Sequence, residues 1–210
     1  MTYIENIFIC LTAPLLVGTL FAGTRYRRSL LLISVGYAVC LLAAYINSFF
    51  AGFYGADIVT AAVEIAPVVE EVIKLLPLLF YLLIFEPEQK DVRMAIITIG
   101  ASFATFENVC YLIENGASQL TYMLIRGFGT GAMHIICGVI VGYGLLYVWK
   151  RPWLKLAGTL GLLCAAITYH GIYNLLVSGG GTLQTIGYCF PIATVTIAVI
   201  TGKVLRKKYI

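Results

Sequence analysis

Long apolar runs alternate with short polar breaks along the whole chain. Seven runs can be marked off, at 6–23, 29–51, 58–85, 94–113, 121–149, 154–177 and 185–202. Each is close to the roughly 20 residues that a helix needs to cross a hydrocarbon core. The breaks carry turn or charge chemistry: TRYRRS, YGAD, EPEQKDVR, ENGASQ, KRPWLK and SGGGTLQ, then a tail KVLRKKYI. The pattern predicts an all-α, polytopic membrane protein of about seven transmembrane helices. It is expected to form a single transmembrane domain over 1–210, with its core at 58–177 and flanking spans at 6–51 and 185–202. The start, MTYIENIF, lacks the basic stretch of a cleaved signal peptide, so 6–23 is expected to be a retained first span.

With 60% hydrophobic residues, 11% charged and a mean hydropathy of +0.94, there is no room for a separate soluble domain. The net charge of +4 would suggest acidic partners in a soluble protein, but here its placement matters more. Arg25, Arg27, Arg28, Lys90, Arg93, Lys150, Arg151, Lys155, Lys203, Arg206, Lys207 and Lys208 occupy the first, third and fifth breaks and the tail. The second, fourth and sixth breaks hold no Lys or Arg. Basic residues collect in cytoplasmic loops, so the alternation predicts an N-out, C-in topology. The partner it implies is the lipid bilayer, not nucleic acid. Cys10, Cys40, Cys110, Cys137, Cys164 and Cys189 all fall inside apolar runs, without a CxxC pair, and read as small buried residues.

Two basic residues break the alternation, Lys74 in mid-span three and Arg126 near the outer end of span five, and they belong to a larger polar set. Span three also holds Glu64, Glu70 and Glu71, span four Glu107 and Asn108, span five His134, and span six His170 and Asn174. A charge at the bilayer centre costs at least ~2.5–3.5 kcal/mol on insertion scales, so such residues face a bundle interior and mark function. The spacing suggests an ion pair between Glu70 and Lys74, four apart with the acid first, and puts Glu64 and Glu71 on one stripe. Pro67 and Pro77 bracket the acid pair and free the carbonyls of Val63 and Ile73. Gly127 with Gly131, and Gly138 with Gly142, have the spacing of close helix contacts. Depth counting at ~1.5 Å per residue brings the acids and both histidines to one level, in the middle to outer half of the membrane. Read structurally, Glu70, Glu71 and Lys74 would only fix helix packing, His134 would be a core imidazole, and Arg126 would be an interfacial anchor.

Chemically the set suffices for peptide hydrolysis. A buried carboxylate beside a second acid can act as general base to a water, while a histidine polarises the carbonyl or protonates the leaving amine. Alternatively, two histidines and a glutamate, His134, His170 and Glu107, could hold zinc with an open position. HExxH, GxSxG and GxGD motifs are all absent.

EEVIK at 70–74, FATFEN at 103–108, His134, and HGIYN at 170–174 occur in an order that resembles the PrsW-type intramembrane proteases, distant relatives of the CAAX-prenyl endopeptidase and bacteriocin-immunity group. The resemblance covers roughly 67–177. It implies a multi-pass protease of the bacterial cell membrane that cuts a membrane-anchored, single-pass anti-sigma factor on its extracytoplasmic side and so starts a stress response. By position, Glu70 and Glu71 would be the catalytic acids, with Glu107, His134 and His170 completing the site. Lys74, Asn108, Asn174 and Arg126 would bind or orient. Position 174 is Asn where an acid can occur in the wider group, which leaves it an orienting role only. A proton- or cation-coupled transporter also buries Glu, Lys and His, but no repeat relates the two halves and the polar set clusters in four adjacent spans. A non-catalytic membrane partner on the same scaffold is the third alternative.

Overall fold

The computed structural model describes residues 3–116 and 120–209, and these are helical almost throughout. Helix α1 spans Ile4–Phe21 and α2 Thr24–Tyr54. The third, α3, is one rod made of Ile58–Thr60, a π-helical turn at Ala61–Ile65, and Ala66–Phe85. Then follow α4 (Gln89–Asn115), α5 (Leu120–Val148), α6 (Lys155–Ser178) and α7 (Gly181–Tyr209). All seven apolar runs therefore fold as helices. Among the described residues, every one of these helices except α3 is long and apolar enough to cross a membrane, six in all. The exception follows from its content, since Glu70, Glu71 and Lys74 lie within Ala66–Phe85. The protein is a polytopic, all-α membrane protein.

Helix ends overrun the apolar runs. The polar stretch QKDVR, expected in a break, is the first turn of α4, and the expected tail is helical to Tyr209. Backbone hydrogen bonds continue wherever no residue stops them, whatever the side chains' polarity. Stops are found where the chemistry supplies them. Gly55 closes α2 with φ 62°, a left-handed conformation that costs glycine little. Asp57 opens α3 by accepting from the Thr60 backbone N–H at 2.7 Å. That hydrogen bond holds the Asp57 carboxyl below its ordinary range.

Three buried clusters organise the packing. Val39, Ala43, Val69, Ile73, Phe103 and Phe106 join α2, α3 and α4. Leu75, Met133, Cys137, Ala166, Tyr173 and Tyr188 join α3, α5, α6 and α7. Leu78, Val92, Ala95, Ile96 and Ile99 tie the far end of α3 to α4. Helix α3 takes part in all three, so the face of its middle that carries Glu71 and Lys74 is enclosed. Gly100 lets α4 approach α5 at the level of the site, because a Cβ there would stand 3.2 Å from the carbonyl oxygen of His134. Of the two glycine pairs expected to mediate such contacts, Gly138 and Gly142 do face Ile96, whereas a Cβ at Gly127 or Gly131 would meet open space. Gly129, between that pair, packs against Tyr188 instead. The six cysteines are free.

Candidate active site

The site is assembled from α3 outward. Glu71 and Lys74, three apart, are 2% and 5% exposed. Lys74 Nζ lies 2.5 Å from Glu71 Oε1. The ion pair therefore forms with Glu71, not with Glu70 as the i,i+4 spacing suggested, since the face that carries Glu71 and Lys74 is the one covered by α5 and α6. Lys74 also lies 2.9 Å from His134 Nδ1 and sits over the Phe103 ring at 4.7 Å. An ammonium has donors only, so Nδ1 accepts and the His134 proton is on Nε2. That nitrogen is 2.6 Å from Glu107 Oε2. The chain of contacts continues through Glu107 Oε1 to Arg126 Nη2 at 3.2 Å, with the guanidinium 3.6 Å above the Tyr111 ring. Arg126 is thus turned inward, 12% exposed, instead of snorkelling to the interface.

A second branch leads from Glu71 to α6. His170 Nδ1 is 2.8 Å from Glu71 Oε1, so Nδ1–H donates and Nε2 carries the lone pair. This nitrogen faces Glu70 Oε2 at 3.9 Å. Glu70 Oε1 accepts from Asn47 Nδ2 of α2 at 3.2 Å, but Oε2 is buried and has no hydrogen-bond partner. The adjacent acids differ in their surroundings. Glu71 is held by a lysine and an imidazole, while Glu70 makes no ion pair with a lysine or arginine among the described residues and keeps one oxygen unpartnered.

Glu70 lines a cavity of about 330 Å³ together with Ala62 and Ala66 of α3, Glu107, Tyr111, Tyr122, Arg126, His170, Asn174 and the start of α7 at Gln184 and Tyr188. Arg126 Nε is buried here without a partner. Asn174 donates to the carbonyl of Ala62 at 2.8 Å. It thereby satisfies a carbonyl in the π-helical turn one residue from Val63, where Pro67 was expected to leave an unpaired acceptor. The extra residue of that turn also turns Glu64 away from Glu71, to an exposed outer pocket with Asp57 and Tyr54. Of the expected residues, Glu70, Glu107, Arg126, His170 and Asn174 line the cavity, and Glu71, Lys74 and His134 are buried behind them, with Glu71 on His170 and His134 on Glu107. Asn108 does not reach it, and its Oδ1 is buried without a partner. Asn47 escaped the reading because a single amide in an otherwise apolar helix looks like packing. Its place near the outer end of the apolar run, at the depth of the acid pair on the next helix, was the available clue.

A bundle of membrane-length helices that encloses three glutamates, two histidines and a lysine around an open cavity is a polytopic membrane protein with a carboxylate–imidazole site. Its sequence matches the family described as PrsW family intramembrane metalloprotease over residues 25–201, and the chain belongs to that family. A stretch of 109 residues is 32% identical to the Protease PrsW of Oceanobacillus iheyensis, over 48% of this chain and 47% of that one. The chain spans about half the length of the curated relative it matches. No solved structure matches it. It is a multi-pass protein of the bacterial cell membrane.

The family description implies a metal, and the donor set fits one. Glu70, His134 and His170 each offer a ligand atom, all within 4.8 Å of one another, and all three are buried. Glu70 takes the place expected for Glu107, because Glu107 is tied to His134 and Arg126. Glu70 Oε2 and His170 Nε2 are open as they stand. His134 Nε2 would first have to give up the proton it shares with Glu107.

Proposed function

We propose that the protein is an endopeptidase that cuts a membrane-anchored, single-pass protein of the anti-sigma-factor type near its extracytoplasmic side. The observation that carries this is the open pair, Glu70 Oε2 and His170 Nε2, 3.9 Å apart at the wall of a polar cavity. A water held between them donates one hydrogen to each and turns its lone pair outward. Glu70 takes a proton as the water oxygen attacks the scissile carbonyl carbon, and then returns it to the amine as the C–N bond breaks. Negative charge develops on the carbonyl oxygen, and Arg126, with its unpaired Nε–H, is the free donor lining the same cavity. Glu71 and Lys74 act through others. Glu71 fixes the His170 tautomer, and Lys74 fixes that of His134.

A zinc ion held by Glu70, His134 and His170 would supply Lewis-acid polarisation of the carbonyl. With Glu70 and His170 taken up as ligands, neither could also accept from the water, so the metal arrangement and the carboxylate-base arrangement are alternatives. Co-expression with tagged single-pass anti-sigma factors tests the reading: a discrete fragment, cut near the outer surface of the substrate's span, is expected. Intact substrate at wild-type expression of the folded protein would reject it, as would a cut on the cytoplasmic side.

A further inference from the structure

Beside the reaction cavity lies a second, apolar groove of about 330 Å³ between α5 and α7. One wall is formed by Ile125 and Phe128, the other by Thr185, Cys189 and Ile192. Phe128 is 69% exposed and faces the lipid. The two recesses share Tyr122, Gln184 and Tyr188 in their walls. From Gln184 to Ile192 the groove follows α7 for eight residues, about 12 Å at 1.5 Å per residue.

We infer that this groove receives the transmembrane helix of the protein to be cut and feeds its outer end to the cavity. The inference rests on the peptidase reading above. It commits to a helix because of what the groove adjoins. An acyl chain can cover Ile125 and Phe128, but it has nothing to offer the polar wall that follows. A polypeptide does: where it unwinds, its backbone N–H and C=O groups need partners inside the membrane. At the shared wall they meet the Gln184 amide and the Tyr122 and Tyr188 hydroxyls. Thr185 and Cys189 are small and lie on one face of α7, four apart, the spacing that lets two helices approach closely in lipid. The bulky Phe128 on the opposite wall then bounds the helix on one side. A peptide bond just past the end of the docked helix lies next to the cavity that holds Glu70 and His170, and reaches it by parting the Tyr122 and Tyr188 hydroxyls, 3.4 Å apart in the shared wall.

The test uses the full chain in phospholipid vesicles with a synthetic single-pass probe, about 20 leucine and alanine residues long, continued on its outer side by a hydrated Gly-Pro-Ser segment. A photoreactive benzophenone residue replaces Phe128 or Ile192 in the groove, or Leu31 or Phe80 as lipid-facing positions on α2 and α3. Adducts with the probe are expected at Phe128 and Ile192 several-fold above those at Leu31 and Phe80. Cys189→Trp, or independently Thr185→Trp at the other end of the groove, should reduce them several-fold while the folded protein is recovered as before. Equal adducts at all four positions, or adducts at the groove with phospholipid or a second copy of the chain only, would overturn the inference. Glu70→Gln should leave the adducts unchanged. Groove-specific adducts in a protein that cleaves nothing would therefore uphold the docking groove and reject the peptidase reading, so the two fail separately.

Discussion

The two adjacent glutamates have separate jobs, and the separation is measurable. Glu71 is paired with Lys74 and His170 in a fully buried setting, and removing one partner of a buried ion pair costs on the order of 3–5 kcal/mol. Glu71→Gln and Lys74→Met are therefore expected to lower the unfolding temperature in detergent clearly, together with activity. Glu70→Gln should abolish cleavage with little change in unfolding, because Glu70 keeps its Asn47 contact through one oxygen and leaves the other open. A destabilised Glu70→Gln beside an unaffected Glu71→Gln would reverse the assignment. Zinc is decided at the same residues. If the ion is resident, purified protein should contain near-stoichiometric zinc that is lost in His134→Ala, His170→Ala and Glu70→Gln. Full activity in metal-free protein would leave the carboxylate chemistry alone. The sequence displayed Glu70, Glu71, Glu107, His134 and His170 because each is an ionisable group in an apolar run. It could not rank Glu70 against Glu71 as partner of Lys74. Spacings of three and four both place residues side by side, and which one pairs depends on the helices that cover each face.

Among the helices, α3 shows what the sequence could and could not convey. Its existence and extent follow from the apolar run, and Pro67 marks a local irregularity. The π-helical turn at Ala61–Ile65 does not follow, because it is held by a contact 112 positions away, from Asn174 to the Ala62 carbonyl. One extra residue in that turn undid the expected alignment of Glu64 with Glu71. Asn174→Leu should therefore leave an unpaired carbonyl at a cost of about 1–3 kcal/mol and misplace Glu70, lowering activity more than stability alone would require. Close helix contacts were half legible in the same way. A small-residue spacing marks where a helix can be approached, whereas the neighbour's shape decides whether it is. Gly100→Val would push against the His134 backbone and is expected to cost about 1–3 kcal/mol. Gly127→Ala, in open space, should be neutral or stabilising by up to roughly 1 kcal/mol, since alanine is the better helix former. Thermal unfolding of the two variants side by side reads the difference.

For the whole molecule, orientation and cleavage are linked. The alternation of basic residues predicts that the turn between α6 and α7, next to the cavity residues Ser178 and Gln184, lies outside. A cysteine at Thr182, in a background lacking Cys10 and the other native thiols, is expected to react with an impermeant reagent from outside, while one at Gln89 is not. Thr182 suits the test because Gly180 and Gly181 have positive φ values of 68° and 51°, where a side chain would be strained. Reversed labelling would move the cavity mouth to the cytoplasmic leaflet and the expected cut with it. Orientation and cavity alike serve one group, the unpartnered Glu70 oxygen as the base in peptide hydrolysis. The most direct measurement is cleavage of a tagged single-pass anti-sigma factor by purified wild type and by Glu70→Gln, with both shown to be equally folded. A fragment is expected from the wild type and none from the variant. Cleavage by Glu70→Gln at a rate near wild type would contradict it.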